Sequence, residues 1–146
     1  MAFLLKRILY KYIYFFLYRM KINDSNGFDP DYWGPCAWQF LHTISFNYPL
    51  KPSPEEKRYY KKFIESLSFV LPCGYCRKNM KRHLKELGFS ERHLESRLSF
   101  SYFVYSLHRK VNRELNKENI SFEKVREKYE RIKRKSIIPV IKLKPI

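Results

Sequence analysis

Two cysteines, Cys73 and Cys76, are separated by two residues and directly follow Pro72. The whole chain has only three cysteines, which excludes the multi-bridge disulfide framework of many small secreted domains. The chain must therefore fold around a hydrophobic core, for which 146 residues with 45% hydrophobic content suffice. We interpret the cysteine pair as a redox dithiol, because two sulfurs on the first turn of a helix can close a small disulfide. Once that disulfide opens, the helix N-terminus favours the thiolate.

The chain is strongly basic, with a formal net charge of +16 at pH 7. Its lysines and arginines are spread along the chain and are densest near the two ends, so charge alone does not select nucleic acid or a membrane as partner. Residues 1–22 contain no acidic residue and place apolar side chains on one helical face. We expect this amphipathic segment to lie on a membrane surface or to pack as an extra helix on the domain or a partner.

Helix-start and helix-stop residues predict five helices and no competing strand. The first helix runs from about residue 34 to 47 and is stopped by Pro49. The second begins after Ser53, which can form a capping box with Glu56, and it ends before Pro72.

The three remaining helices follow the cysteine pair. The third runs from about 73 to 87 with Gly88 as its C-terminal cap, and the fourth from about 98 to 116. The fifth is shorter and starts near Ser121. Side chains that share one face are His108, Val111, Asn112 and Leu115 on the fourth helix, and Val125, Tyr129 and Ile132 on the fifth. The predicted divisions are a basic segment and linker (1–27), one domain (28–132) and a basic tail (133–146).

Four features occur in one order along the chain. They are Trp33-Gly34-Pro35-Cys36-Ala37-Trp38 with His42, then Tyr48-Pro49, then Pro72-Cys73-Gly74-Tyr75-Cys76-Arg77, then His108 with Val111-Asn112. Each feature is common alone, but the ordered set resembles the FAD-linked sulfhydryl oxidases of the Erv/ALR family over about residues 32–130. The resemblance implies an all-α four-helix bundle with a short fifth helix. It also implies FAD bound at the bundle mouth, with its isoalloxazine ring against the disulfide of the pair.

The resemblance assigns Cys73 and Cys76 as the catalytic pair. Trp38 and His42 lie four apart on one helical face, and His108 and Asn112 on another, which predicts two walls able to clasp a planar ligand. Each residue has a plainer alternative as a core aromatic, an interior histidine or a solvated lysine, but their convergence on shared faces favours a cofactor. The expected flavin contacts are Gly34, Trp38, His42, Tyr48, His108, Val111, Asn112, Lys117 and Tyr129.

The mechanism implied by the resemblance is a two-electron relay. A substrate thiolate attacks Cys73 and releases Cys76, which passes electrons through FAD to dioxygen and yields hydrogen peroxide. Arg77 and the helix terminus would favour the thiolate, although Arg77 could equally be a surface cation. Protein thiols or a thioredoxin-like carrier are the expected electron donors. Because a second Cys-x-x-Cys is absent, electrons enter directly. This minimal core is most like those of large DNA viruses, which implies the host cytoplasm or virion, with the mitochondrial intermembrane space or ER lumen as alternatives.

Some positions depart from the family pattern or have uncertain roles. Arg109 stands where the family usually has Asn, and Phe103 where it usually has Trp. We expect Cys36 to be a buried apolar thiol, with an intersubunit bridge as the alternative. The family resemblance implies a homodimer through the first two helices. Aromatic residues that would suit such a face are Tyr59, Tyr60 and Phe63.

Two rival functions stay open on the sequence. The first is a structural zinc site formed by Cys73, Cys76, His83 and His93, although the spacing fits zinc fingers poorly. The second is a basic helical module that binds nucleic acid or membrane and in which the cysteine pair is incidental. Neither charged end explains the motifs in the middle of the chain, so nucleic acid is the less favoured partner.

Overall fold

The computed structural model describes residues 27–135, and within that range the fold is helical. It contains α1 (Pro30–Asn47), α2 (Pro54–Val70), α3 (Gly74–Glu86), a 3-10 turn (Glu91–Leu94), α4 (Arg97–Glu114) and α5 (Phe122–Lys135). The predicted all-α class and the succession of five helices are confirmed; the 3-10 turn was not predicted. The interpretations of residues 1–22 and of most of the C-terminal tail fall outside the described residues. In the described part of the chain, every helix is too short or too polar to cross a bilayer.

The helix starts follow from local capping. The Ser53 side chain accepts from the Glu56 backbone N–H at 3.2 Å while the Glu56 carboxylate accepts from the Ser53 N–H at 2.7 Å, so the predicted capping box is confirmed. Helix α1, in contrast, begins before the predicted residue 34. Asp29 caps it by accepting from the Asp31 N–H at 2.9 Å, and Pro30 takes the first helical position.

Helices α1 to α4 pack around one hydrophobic core, with α1 mainly against α4 and α2 mainly against α3. Helix α5 is added to this bundle through a second cluster that contacts α1 and α4. Val125 and Tyr129 of the predicted α5 stripe are buried there, whereas Ile132 is 44% exposed. At 14 residues, α5 is shorter than the 18-residue α4 that precedes it, as predicted. The main core comprises Leu41, Tyr48, Ile64, Leu67, Met80, Leu94, Phe100, Phe103, Val104 and Leu107.

Tyr48, one of the expected flavin contacts, lies in this core. Its side chain is fully buried and its hydroxyl donates to the Leu94 carbonyl at 2.9 Å. Tyr60 packs edge-on against Tyr48 at 4.5 Å between ring centroids, and Phe63 packs on the same core. Of the three aromatics expected at a dimer face, Tyr59 alone is largely exposed.

Candidate active site

The cysteine pair lies at the N-terminus of α3 and forms a disulfide. Cys73 is the N-cap residue, and its sulfur accepts from the Cys76 backbone N–H at 3.1 Å. Both sulfurs therefore lie at the positive end of the α3 dipole, which stabilises a thiolate when the disulfide opens. Arg77 donates through Nη1 to the Leu71 carbonyl at 2.6 Å, so its guanidinium fastens the turn that leads into the pair.

A cleft of about 730 Å³ lies beside this disulfide, within the size range of small-molecule sites. It is lined from α1, α3, α4 and α5, and it includes Cys76 but not Cys73. Eight of the nine expected flavin contacts line the cleft, and Tyr48 does not. The eight are Gly34, Trp38, His42, His108, Val111, Asn112, Lys117 and Tyr129.

The aromatic residues of the cleft form one continuous wall. The Trp38 ring stacks on His108 with centroids 4.1 Å apart and planes 8° apart. His42 Nε2 lies 3.0 Å from His108 Nδ1, and the His42 ring stacks on Tyr129 at 5.4 Å. The rings that were expected to form two walls thus contact each other, because α1 packs directly against α4.

Both histidines of this wall are neutral at pH 7. Burial lowers the pKa of His42 to about 4, with smaller contributions from His108 and the Lys128 ammonium. Burial also lowers the pKa of His108 to about 4, assisted by the charge of Lys117. Since both rings are neutral, one donates and the other accepts in the hydrogen bond between them.

That hydrogen bond leaves one buried polar atom of the wall unpaired. His42 is 4% exposed, and its Nδ1 has no hydrogen-bond partner among the described residues. An unpaired buried polar atom costs stability. A Cβ added to Gly34 on the cleft lining would meet nothing within 4 Å, so free space also remains there. The cleft thus fits a large aromatic ligand with polar edges, such as FAD.

Charged residues lie at the cleft as well. The lining carries the positive charges of Lys117, Lys128 and Arg109 and the negative charges of Asp31, Glu114 and Glu118. The Lys117 ammonium is 3.7 Å from the Asp31 carboxylate, and both side chains are largely exposed. These cations would attract a diphosphate, and the role expected for Lys117 stays a prediction.

The sequence interpretation missed the cleft-facing side of α3. Asn79, Met80 and His83 follow Cys76 at spacings of three, four and seven, which is the signal that could have identified them. His83 is 2% exposed, and its Nε2 lies 3.0 Å from both oxygens of Glu114 on α4.

Glu114 is held by a second side chain of α3. Arg82 Nη2 donates to the Glu114 carboxylate at 2.8 Å. This hydrogen bond is the largest cause that lowers the pKa of Glu114 to about 2, and His83 contributes further. The cluster of Arg82, His83 and Glu114 therefore links α3, which carries the cysteine pair, to α4, which carries His108.

The structure settles three further expectations. Cys36 is exposed and does not form the expected buried thiol. Phe103 is 2% exposed and stacks on Phe89 at 4.5 Å, so this departure from the family pattern lies in the core, whereas Arg109 lines the cleft. Between residues 27 and 135, no three His, Cys, Asp or Glu side chains are grouped to hold a metal ion, so the zinc alternative lacks its ligand set.

The depressed histidine pKa values predict acid sensitivity. An unfolded histidine takes up a proton near its ordinary pKa of 6.5, whereas folded His42 does so only near 4. The unfolded state therefore binds more protons in this window, and the free energy of unfolding falls as pH falls from about 6.5 to about 4. For His42 the slope reaches about 1.4 kcal/mol per pH unit.

Melting temperatures measured by circular dichroism between pH 7.5 and 5 would check this. Glu114 stays ionised throughout that range, because its pKa is lowered to about 2. Its contribution to the free energy of unfolding therefore does not change there. We expect the dependence to be flatter in a His42→Phe variant, and an equal slope in both proteins would contradict the assignment.

Comparison with known proteins places these features in context. The model of the Erv1 / Alr family matches residues 35–130, which contain the disulfide and both wall histidines. A protein of Acanthamoeba polyphaga mimivirus described as "Probable FAD-linked sulfhydryl oxidase" is 33% identical over 102 residues, covering 70% of this chain and 71% of that protein. The mitochondrial FAD-linked sulfhydryl oxidase ERV1 of Saccharomyces cerevisiae is 29% identical over 89 residues, which are 61% of this chain and 46% of that protein. The crystal structure of the FAD binding domain of Erv1 from Saccharomyces cerevisiae superposes with a TM-score of 0.65 at 25% identity, covering 71% of this chain and 96% of that one.

Proposed function

Because the chain belongs to the Erv1/Alr family, we propose that it is an FAD-dependent thiol oxidase that forms disulfides in proteins and passes the electrons to dioxygen. The observation that carries this proposal is the position of the disulfide at the N-terminus of α3, with Cys76 on the lining of the cleft. A reducible bond and a site for a large aromatic ligand are thus side by side.

The cleft residues would hold FAD by complementary chemistry. The stacked rings of Trp38 and His108 offer a flat aromatic surface. Lys117 and Lys128 offer positive charge for the diphosphate. When bound, FAD supplies a two-electron acceptor for the dithiol that dioxygen can reoxidise, with hydrogen peroxide as product.

The thiol chemistry takes place at the two sulfurs. A substrate thiolate attacks Cys73 Sγ, a mixed disulfide forms, and Cys76 leaves as a thiolate that the α3 N-terminus stabilises. A second substrate thiolate then attacks the substrate sulfur of the mixed disulfide, which releases oxidised substrate and the Cys73 thiolate. The pair now carries the two electrons lost by the substrate. Cys76, which lines the cleft, is the sulfur placed to deliver them to the cofactor.

The partners follow from the same chemistry. Protein thiols, or a small thioredoxin-like dithiol carrier, would be the electron donors, and dioxygen the acceptor. A homodimer through α1 and α2 would cover Phe40 and Tyr59, which are 60% and 56% exposed on those helices. The viral relative supports action in a host cytoplasm or virion, and the yeast relative supports the mitochondrial alternative.

Absorbance and oxygen uptake of the purified full chain test the proposal. We expect a yellow protein with a flavin band at about 450 nm. Dithiothreitol should drive oxygen consumption with formation of hydrogen peroxide in equal amount. FMN, which lacks the diphosphate-linked adenosine, serves as the control and should reconstitute the apoprotein poorly. A protein that stays colourless after refolding with excess FAD would contradict the proposal.

A further inference from the structure

Gly27 and Phe28 lie next to the N-terminus of α3, the helix that carries the cysteine pair. They directly precede Asp29, the N-cap of α1. Gly27 forms an isolated antiparallel bridge with Cys73, and the Phe28 N–H donates to the Pro72 carbonyl at 2.6 Å. The indole N–H of Trp33 donates to the Phe28 carbonyl at 3.2 Å, which fastens the other side of this segment. These two residues are termed the strap.

The strap lies against the backbone of Cys73, whose sulfur the proposed mechanism gives to the substrate. Cys73 is 4% exposed, whereas Phe28 is 71% exposed. Phe28 of the strap therefore faces solvent, whereas Gly27 pairs with the buried Cys73. Cys76 lines the cleft, where the cofactor would bind, so it does not offer the substrate a separate entry.

The close approach of the strap depends on the absence of a side chain at Gly27. Its φ of +82° is in the left-handed region, and a Cβ there would lie 1.9 Å from the Pro72 carbonyl oxygen. The same Cβ would lie 3.2 Å from the Cys73 Cα. Both neighbours are backbone atoms and cannot rotate away, so any larger residue at this position must lift the strap.

We propose that the strap holds the place of an extended substrate segment, and that a cysteine-containing peptide in extended conformation displaces it to pair with Pro72 and Cys73. This inference rests on the proposed oxidase function and names its substrate class. The antiparallel bridge is the hydrogen-bonding pattern that an added peptide strand would use. Small thiols need less of this surface, so Gly27 acts as a specificity-determining residue between protein and small-molecule thiols.

A Gly27→Ala variant tests the strap kinetically. The described residues give the strap two hydrogen bonds, and a contact of this strength is open in on the order of a tenth of molecules. We therefore expect kcat/KM for reduced, unfolded lysozyme to rise about tenfold, and that for dithiothreitol to rise less than about twofold. Equal changes for both substrates, or no change for either, would overturn the proposal. Gly88→Ala is the matched control, because Gly88 also has a positive φ of +60° and its nearest neighbour is the Arg92 side chain, away from the disulfide.

Alkylation of the reduced protein gives a readout that does not need oxidase activity. Labelling with an extended peptide that carries an iodoacetyl group, followed by mass spectrometry, would measure the rate at Cys73, with the exposed Cys36 as internal reference. We expect labelling of Cys73 to be about tenfold faster in Gly27→Ala, and to rise by a smaller factor in Trp33→Phe, which loses the donor to Phe28. Identical rates in the wild type and both variants would overturn the strap even if the protein oxidises thiols. Faster labelling in a protein without oxidase activity would support the strap as a cover of Cys73 while refuting the proposed function.

Discussion

Replacing Cys76 with serine is expected to lower thiol oxidase turnover by at least about a thousandfold, the loss typical of removing a catalytic nucleophile. Serine preserves the size of the side chain but forms no disulfide, so Cys73 can only be trapped or stay reduced. Because Cys76 is the member of the pair that lines the cleft, its loss also removes the sulfur next to the cofactor site. Oxygen uptake with dithiothreitol measures the effect.

Two further variants make this result specific. Cys73→Ser should lose turnover to the same extent yet keep its full flavin content, since Cys73 is not part of the cleft lining. Cys36→Ser is the matched control, because Cys36 is exposed, lies outside the cleft lining and should leave turnover within about twofold of the wild type. Turnover that persists in Cys76→Ser would refute the relay through the pair.

Helix positions were predictable where the deciding contacts are local. The α2 start depends on Ser53 and Glu56, which are three residues apart, and the sequence alone identifies it. The start of α1 was predicted near residue 34, although Asp29 and Pro30 carry a local start signal as well. In the structure Pro35 lies inside α1, whose true first turn is set by Asp29 and Pro30.

Site residues were predictable where they share a helical face. Trp38 and His42 on α1 reach the cleft because residues four apart lie on one side of a helix. Cys36 is only two residues from Trp38 and therefore points to another side, which explains its exposure. Tyr48 follows the last residue of α1, so helical spacing gives no guide to its direction.

Contacts between distant segments could not be predicted in this way. The contact between His83 and Glu114 joins residues 31 apart in sequence, and it exists only because α3 packs against α4. The bridge between Gly27 and Cys73 likewise joins two segments that are far apart in the sequence. Spacing within a helix specifies which residues share a face, but the packing of helices decides which faces meet.

A Trp38→Ala variant is expected to be nearly colourless, with an affinity for FAD at least about a hundredfold below that of the wild type. Trp38 supplies a large part of the aromatic wall and holds His108 by stacking at 4.1 Å. His108 Nδ1 in turn is 3.0 Å from His42 Nε2. Without the indole, neither histidine is held in its orientation. The measurement is the ratio of absorbance at about 450 nm to that at about 280 nm, followed by titration of apoprotein with FAD.

Phe40→Ala is the matched control for this loss. Phe40 is an aromatic residue of the same helix, but it is 60% exposed and does not line the cleft, so its removal should leave the flavin content unchanged. Circular dichroism separates loss of ligand from loss of fold, and Trp38→Phe, which keeps an aromatic ring, should recover part of the affinity. If Trp38→Ala binds FAD as tightly as Phe40→Ala does, the wall of Trp38, His42 and His108 is not where the cofactor binds. The disulfide would then have to deliver its electrons by a route that avoids this cleft.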